Sequence, residues 1–334
     1  MFFSILIPAY NVEKYIEECL LSIVNQTETD WEVIIIDDGS KDNTLDLCNQ
    51  FARYYKNKKI IIKHKENEGL LMARRDAIDM ASGEYIVFID SDDYFYSNTA
   101  LEDIRRTIER KNVDIVLYNA ELIENGESVG RMNPDSFFDE DKFIKKDFIY
   151  ENLMVTRCTF AAMCTKCCRK EILNTNIDYK KFGKLNYGED LLQSLEIYTY
   201  ADSVYYIKKP IYAYRIGSGM TSTYNPNIYY DFKKIYEEIK KYRNIWNIDK
   251  FELNLGINYI NFCYASIRQM TKSKIDIVAK KQINVIKNDA DLKLYFKKYN
   301  KQIFELNKKE WGVLKFLCIF PTIITYTALK FINK

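Results

Sequence analysis

The chain has 334 residues, 47% of them hydrophobic and 29% charged, a composition that fits a folded globular protein and excludes a disordered one. A formal net charge of +2 argues against a dedicated nucleic-acid binder, which would carry a strongly basic face. With one histidine, His64, a Ser-His-Asp triad or a His-based zinc site is hard to build, so chemistry has to rest on carboxylates, Lys, Tyr or Cys.

Ser4 to Ile7 is a short apolar run, and Val12, Tyr15, Ile16, Cys19, Leu20 and Ile23 then recur with the period of one helix face. Val33 to Ile36 is continuous and β-branched, as expected of a strand covered on both faces. Leu45, Cys48, Phe51, Ala52 and Tyr55 predict the next helix, Ile60 to Ile62 a third strand, Leu70, Ala73, Ala77, Met80 and Ala81 a third helix, and Tyr85 to Ile89 a fourth strand. This alternation predicts an α/β fold with a mostly parallel sheet and right-handed crossovers. Asp114 to Tyr118 adds a strand, residues 121–145 read as polar loop, 150–225 mix short helices and strands, and 226–310 look helical and rich in Lys and Tyr.

In such sheets ligands bind where strands end at their carboxyl side. The first strand is followed by Pro8-Ala9-Tyr10-Asn11, the second by Asp37-Asp38-Gly39-Ser40 and the fourth by Asp90-Ser91-Asp92-Asp93, so polar and acidic groups crowd one sheet edge. No Gly-rich dinucleotide or phosphate-loop signature accompanies them. Packed carboxylates repel unless a cation or proton intervenes. One reading of Asp90, Asp92 and Asp93 is a Mg²⁺ or Mn²⁺ site that neutralises a departing nucleotide diphosphate; the other is a solvated turn with capping aspartates. Asp38 reads as an acceptor for a base N–H or a ribose hydroxyl, or as part of a turn before a helix. Tyr10 could stack on a base or fill a turn. Glu189-Asp190 precedes an apolar helical run and reads as a general base or as the ordinary acidic start of a helix.

The eight cysteines include Cys164, Cys167 and Cys168, with Cys158 nearby. No second ligand pair completes a zinc site, so these are expected to be buried structural thiols. The chain opens at once on a strand-like run with no charged leader or cleavage site, which predicts a cytoplasmic protein with reduced thiols.

Ser4-Ile5-Leu6-Ile7-Pro8-Ala9-Tyr10-Asn11, Ile35-Ile36-Asp37-Asp38-Gly39-Ser40-Lys41-Asp42 and Gly83 to Asp93 together resemble glycosyltransferase family 2. The similarity is dense from residue 3 to about 98 and resumes at Gly188 to Leu192 and at Tyr214-Arg215 to Met220-Thr221-Ser222. The resemblance implies a GT-A fold and an inverting, metal-dependent transfer of sugar from a nucleotide sugar, mostly a UDP-sugar, to a hydroxyl of a glycan or lipid-linked acceptor. It implies that Pro8, Ala9 and Tyr10 line the nucleoside pocket, that Asp38 binds the uracil edge, and that Glu13 touches the nucleoside. It implies Asp92 as the Mn²⁺ or Mg²⁺ ligand with Asp90 beside it, Asp190 as the catalytic base, and Arg215 near the diphosphate. Two segments depart from the family pattern. Ala73-Arg74-Arg75-Asp76-Ala77 stands where an Ala-Arg-Asn-x-Gly is usual, and Cys164 to Arg169 replaces a segment richer in Trp and Leu, although Lys166 matches a common Lys.

These expectations divide the chain into a nucleotide-sugar half (1–110), an acceptor-side half (111–225) and a helical C-terminal region (226–334). From Lys293 to Lys334 nine lysines face two acids, and Phe316 to Leu329 carries no charge, too short to span a bilayer. Trp311, Leu314, Phe316, Leu317, Ile319 and Phe320, flanked by Lys315 and Lys330, suit an interfacial helix on the inner face of the plasma membrane. A tail packed on its own domain, or pairing two protomers as a homo-oligomer, is the alternative. A non-catalytic sugar-nucleotide or glycan-binding protein of the same fold, and a nucleotidyltransferase, are the competing functions; the latter would need a Gly-rich basic loop where Tyr10-Asn11-Val12-Glu13 stands.

Overall fold

The computed structural model describes residues 1–132, 139–155, 160–173, 177–217, 225–270 and 276–306, with Gly312 and Lys315. Cys158, the 220–222 segment and nearly all of the 311–334 tail lie outside the described residues. The chain divides into two compact units: Met1–Ile149, Arg157–Leu185 and Glu189–Gly219 form the first, and Tyr150–Thr156, Asn186–Gly188 and Met220–Lys334 the second.

The first unit begins β1 (Phe3–Ala9), α1 (Ile16–Val24), β2 (Trp31–Asp37), α2 (Thr44–Tyr54), β3 (Ile60–His64), α3 (Leu70–Met80) and β4 (Tyr85–Phe88). It continues with β5 (Tyr94–Phe95), α4 (Ala100–Lys111), β6 (Ile115–Glu124), β7 (Glu127–Arg131) and β8 (Lys142–Phe143). Next come α5 (Lys146–Leu153), whose residues from Tyr150 on belong to the second unit, β9 (Lys166–Arg169), α6 (Glu189–Tyr200) and β10 (Val204–Arg215). The strands form one sheet in the order β3-β2-β1-β4-β9-β6-β10-β5, with β7 on β6 and β8 on β10.

The β1–β2, β2–β3, β1–β4 and β6–β10 pairings are parallel, while β9 runs antiparallel between β4 and β6. Every residue of β1, β2 and β4 is buried, which explains their unbroken apolar runs: helices cover both faces. Ala9 pairs with Asp37 and Leu6 with Phe88, so the residues that follow β1, β2 and β4 emerge along one edge.

The stretch 121–145, expected to be loop, instead holds the end of β6 and the strands β7 and β8. β6 and β7 form a hairpin across Asn125-Gly126, both at positive φ (52° and 83°), the geometry of a tight primed turn. All of β7 is solvent-exposed, so its side chains lack the apolar alternation that would mark a strand.

The thiols of Cys164, Cys167 and Cys168 are free and buried. Burial pushes all three up, Cys168 to about 12, so they pack as small apolar groups.

The second unit is helical, with α7 (Ile228–Ile239), α8 (Arg243–Trp246), α9 (Phe251–Met270), α10 (Asp276–Lys287) and α11 (Ala290–Leu306). Tyr236 and Tyr259 are buried in its core, and the hydroxyls of Tyr236 and Tyr295 meet at 2.9 Å. Lys233 bridges Asp289 (2.8 Å) and Asp291 (2.9 Å). Among the described residues no helix is long and apolar enough to cross a membrane.

Candidate functional site

The centre of the site is a residue that the sequence pattern left without a role. On α3, Leu71, Arg74 and Ile78 share the buried stripe with Ala73 and Ala77, so a guanidinium is carried into the interior, where Arg74 is 1% exposed. A buried charge needs partners. Arg74 donates one N–H to Asp90 Oδ1 at 2.9 Å and another to Asp190 Oδ1, and the two carboxylates hold its charged form against the cost of burial. Asp90 follows β4, and Asp190 lies in the first turn of α6, where the helix dipole favours an acid. Arg74 thus brings together two carboxylates that lie 16 and 116 residues from it.

The remaining oxygen of Asp190, Oδ2, faces the Met163 amide at a loose 3.4 Å, which leaves it room to take a proton. Beside it, burial and the charge of Asp190 push Glu189 up to about 7, with Arg74 opposing. Burial also pushes Asp90 up, again opposed by Arg74.

The three aspartates after β4 point to different places. Asp93 is buried and accepts the Tyr212 hydroxyl at 2.8 Å and the Arg215 amide at 2.7 Å, which ties the turn to the end of β10. Burial and the neighbouring Asp92 and Asp90 push Asp93 up to about 8. Asp92 is partly exposed, and among the described residues its carboxylate has no hydrogen-bond partner. Arg215 lies beside it: Nε donates to the Asp92 carbonyl at 2.8 Å, a terminal nitrogen meets Glu18 at 3.0 Å, and the guanidinium sits 5.1 Å from the ring centres of Tyr15 and Tyr94.

Pro8 and Ala9 are buried in β1, whereas Tyr10 is 47% exposed at the edge. Asp38 is buried, and its two oxygens accept the Glu68 amide (2.9 Å) and the Gly69 amide (2.8 Å), fixing the start of α3 one turn before Arg74. Gly39 follows at φ 78°, packed against the 65–67 backbone so closely that a Cβ would lie 3.0 Å from the Asn67 nitrogen. Glu13 faces the start of α2, where it accepts the backbone and side-chain N–H groups of Asn43, both at 3.0 Å. The surface hollow lined by Glu13, Asn43, Asp46, Leu47 and Gln50 includes none of Asp90, Asp92 and Asp190.

The structure therefore joins Asp90 and Asp190 through Arg74, sets Arg215 against Asp92, and links Asp38 to this group through α3. Sequence reasoning missed Arg74 and Tyr212, and it grouped Asp93 with Asp90 and Asp92 where the structure clamps it between Tyr212 and the Arg215 amide. The available signal was a charge on the apolar stripe of a helix, which demands an acid from elsewhere in the chain.

The oxygen donors also suit a hard divalent cation. Such a cation takes one or two carboxylates and completes its shell with water and substrate phosphates. Asp92 has an unengaged carboxylate and Asp90 an adjacent one, although among the described residues no three His, Cys, Asp or Glu side chains converge as a ready-made metal cage.

Residues 4–173 match the Glycosyl transferase family 2 profile. EpsH of Bacillus subtilis (strain 168) is 30% identical over 236 residues, 70% of this chain and 67% of that protein. The poly(ribitol-phosphate) beta-glucosyltransferase of Bacillus spizizenii is 34% identical over 251 residues, and the match covers 71% of this chain but only 36% of that longer protein. The crystal structure of S. aureus TarS 1-349 in complex with UDP-GlcNAc superposes with a TM-score of 0.67 at 25% identity, covering 99% of this chain and 90% of that one. TarS is a poly(ribitol-phosphate) beta-N-acetylglucosaminyltransferase, and it is also 31% identical in sequence over 70% of this chain and 40% of its own length. With the profile spanning half of the sequence and the sheet edge arranged as described, the chain belongs to glycosyl transferase family 2.

Proposed function

We propose that the protein transfers a sugar, with inversion, from a UDP-sugar to a hydroxyl of a surface glycan or lipid-linked acceptor. The observation that carries this reading is the joining of Asp90 and Asp190 by one buried guanidinium, beside an Asp92 carboxylate that no described residue engages. UDP-GlcNAc bound to TarS, and the polymer substrates in the names of the relatives, support the donor and acceptor classes.

Asp190 takes the proton of the acceptor hydroxyl on Oδ2, which among the described residues only the long Met163 amide contact engages, and the resulting oxygen attacks the anomeric carbon from the face opposite the departing UDP. Tyr10, exposed at the sheet edge, would stack on the base. Asp38 and Glu13 shape the loops of the nucleoside pocket with Pro8 and Ala9 behind them, and Arg215 lies on the diphosphate side. Asp92 and Asp90 would hold Mn²⁺ or Mg²⁺, which when bound supplies positive charge to the leaving diphosphate. A glycan-binding protein without turnover would have no use for a base positioned in this way.

The test is a hydrolysis and thermal-shift screen against UDP-glucose, UDP-galactose, their N-acetyl forms and other nucleotide sugars, with and without Mn²⁺. One UDP-sugar is expected to raise the melting temperature with Mn²⁺ and to be turned over. Asp92→Ala is expected to abolish the Mn²⁺-dependent part of UDP binding, and wild-type protein that binds UDP equally well with and without Mn²⁺ would remove the metal from the proposal.

The tail 311–334 is proposed to hold the enzyme at an anionic membrane surface on the cytoplasmic side. Full-length protein should float with anionic vesicles, and protein ending at residue 310 should not while still binding UDP. Flotation of the shortened protein would refute the membrane role.

A further inference from the structure

Lys166 is fully buried, yet the reaction outlined above does not use it. Its ammonium makes three bonds: to the Phe160 carbonyl (2.8 Å), the Ala161 carbonyl (3.1 Å) and Ser194 Oγ (2.8 Å). Three donors therefore meet three acceptors; a neutral amine would have only two donors and would need the Ser194 hydroxyl to turn away from the Ala161 carbonyl and donate to it. Both carbonyls, however, have a second donor. Ser194 Oγ also donates to Ala161 O at 2.8 Å, and the Tyr198 hydroxyl donates to Phe160 O at 2.9 Å. Removing Lys166 would orphan neither carbonyl, while keeping it means burying a charge, which is costly. The fold thus carries an ammonium that its hydrogen bonding does not require.

What the ammonium joins gives the reason. Ser194 stands one turn after Asp190 on α6, and residues 160–163 lead into Met163, whose amide faces Asp190. Lys166 itself is anchored in the sheet, paired with Leu117 of β6. We infer that Lys166 is a positioning residue for catalysis, a buried cation that locks the helix bearing Asp190 and the 160–163 turn onto the sheet so that Asp190 meets the acceptor hydroxyl. The inference rests on the proposed role of Asp190 as the base.

The charged and titratable groups around the ammonium are Asp190, Arg74, Cys164 and Cys168, with the Tyr198 ring centre 5.1 Å away. Burial pushes the amine down to about 8; Cys168, Asp190 and Cys164 pull the other way, and Arg74 adds to the effect of burial. As pH rises through that value, the group loses one of its three donors and the lock loosens.

The test uses the full-length enzyme with the donor found active in the screen. Lys166→Met should leave the melting temperature at pH 7 unchanged or higher, leave KM for the donor unchanged, and lower kcat per folded enzyme by about 10²-fold, the cost of a misplaced catalytic group. Wild-type kcat should fall as pH rises above about 8, and the variant should lack that alkaline decline. Should Lys166→Met fail to fold, Ser194→Ala keeps the charge but cuts its link to α6; it should lower kcat and move the alkaline decline to lower pH. Wild-type kcat in folded Lys166→Met, or an alkaline decline unchanged in either variant, overturns the inference. If the wild type turns over no donor, the functional reading fails and the inference, which rests on it, falls with it; an active wild type with a large drop in the Lys166→Met melting temperature makes the residue a structural brace and overturns the inference alone.

Discussion

Asp190→Asn is expected to lower turnover by about 10²–10⁴-fold, the contribution of a positioned general base, while UDP and Mn²⁺ binding persist. The amide keeps the size of the side chain and can still accept the Arg74 N–H through its oxygen, so Asp90 and the start of α6 should hold their places. It cannot take a proton from a hydroxyl. Because Asp190 meets no nucleotide group in the proposed arrangement, the loss should fall on kcat and leave the donor KM near its wild-type value. Steady-state kinetics with donor and acceptor, and calorimetric titration with UDP, measure the two parts. Full activity in the variant would remove Asp190 from the chemistry, and loss of UDP binding in a folded variant would move it to the donor pocket.

Arg74→Met is the change expected to damage both fold and activity. Methionine fills the space of the stem within α3 but leaves Asp90 and Asp190 facing each other and Glu189 without their shared cation. Orphaning a buried ionic partner costs about 3–5 kcal/mol. The two carboxylate side chains retain 27% and 31% exposure, so water lowers the cost toward about 3 kcal/mol. Urea unfolding should report that loss, together with turnover reduced at least as far as in Asp190→Asn. Arg74→Lys restores one charge but not the fork that reaches two acids at once, so it should recover most of the stability and little of the activity. An Arg74→Met protein as stable and active as the wild type would show that the carboxylates need no shared cation.

The parallel half of the sheet was legible in the sequence because burial on both faces forces unbroken apolar runs in β1, β2 and β4. That pattern, with an acidic or polar stop after each run, was enough to locate the rim where the candidate site residues emerge. The β6–β7 hairpin escaped notice although Asn125-Gly126 marks its turn, because an exposed ribbon shows no hydrophobic pattern.

Asp90, Asp92 and Asp93 read as one cluster along the chain, and their separate fates were decided by partners far away in sequence. Arg74 takes Asp90, Tyr212 and the Arg215 amide take Asp93, and the partly exposed Asp92 carboxylate has no hydrogen-bond partner among the described residues. Local pattern determined which elements form and which residues reach the sheet edge, since strand and helix periods are properties of neighbouring residues. Only the tertiary structure decided which carboxylates share a cation, which one is clamped and which one stays open. The cost of burying a charge is settled by whatever group meets it in space.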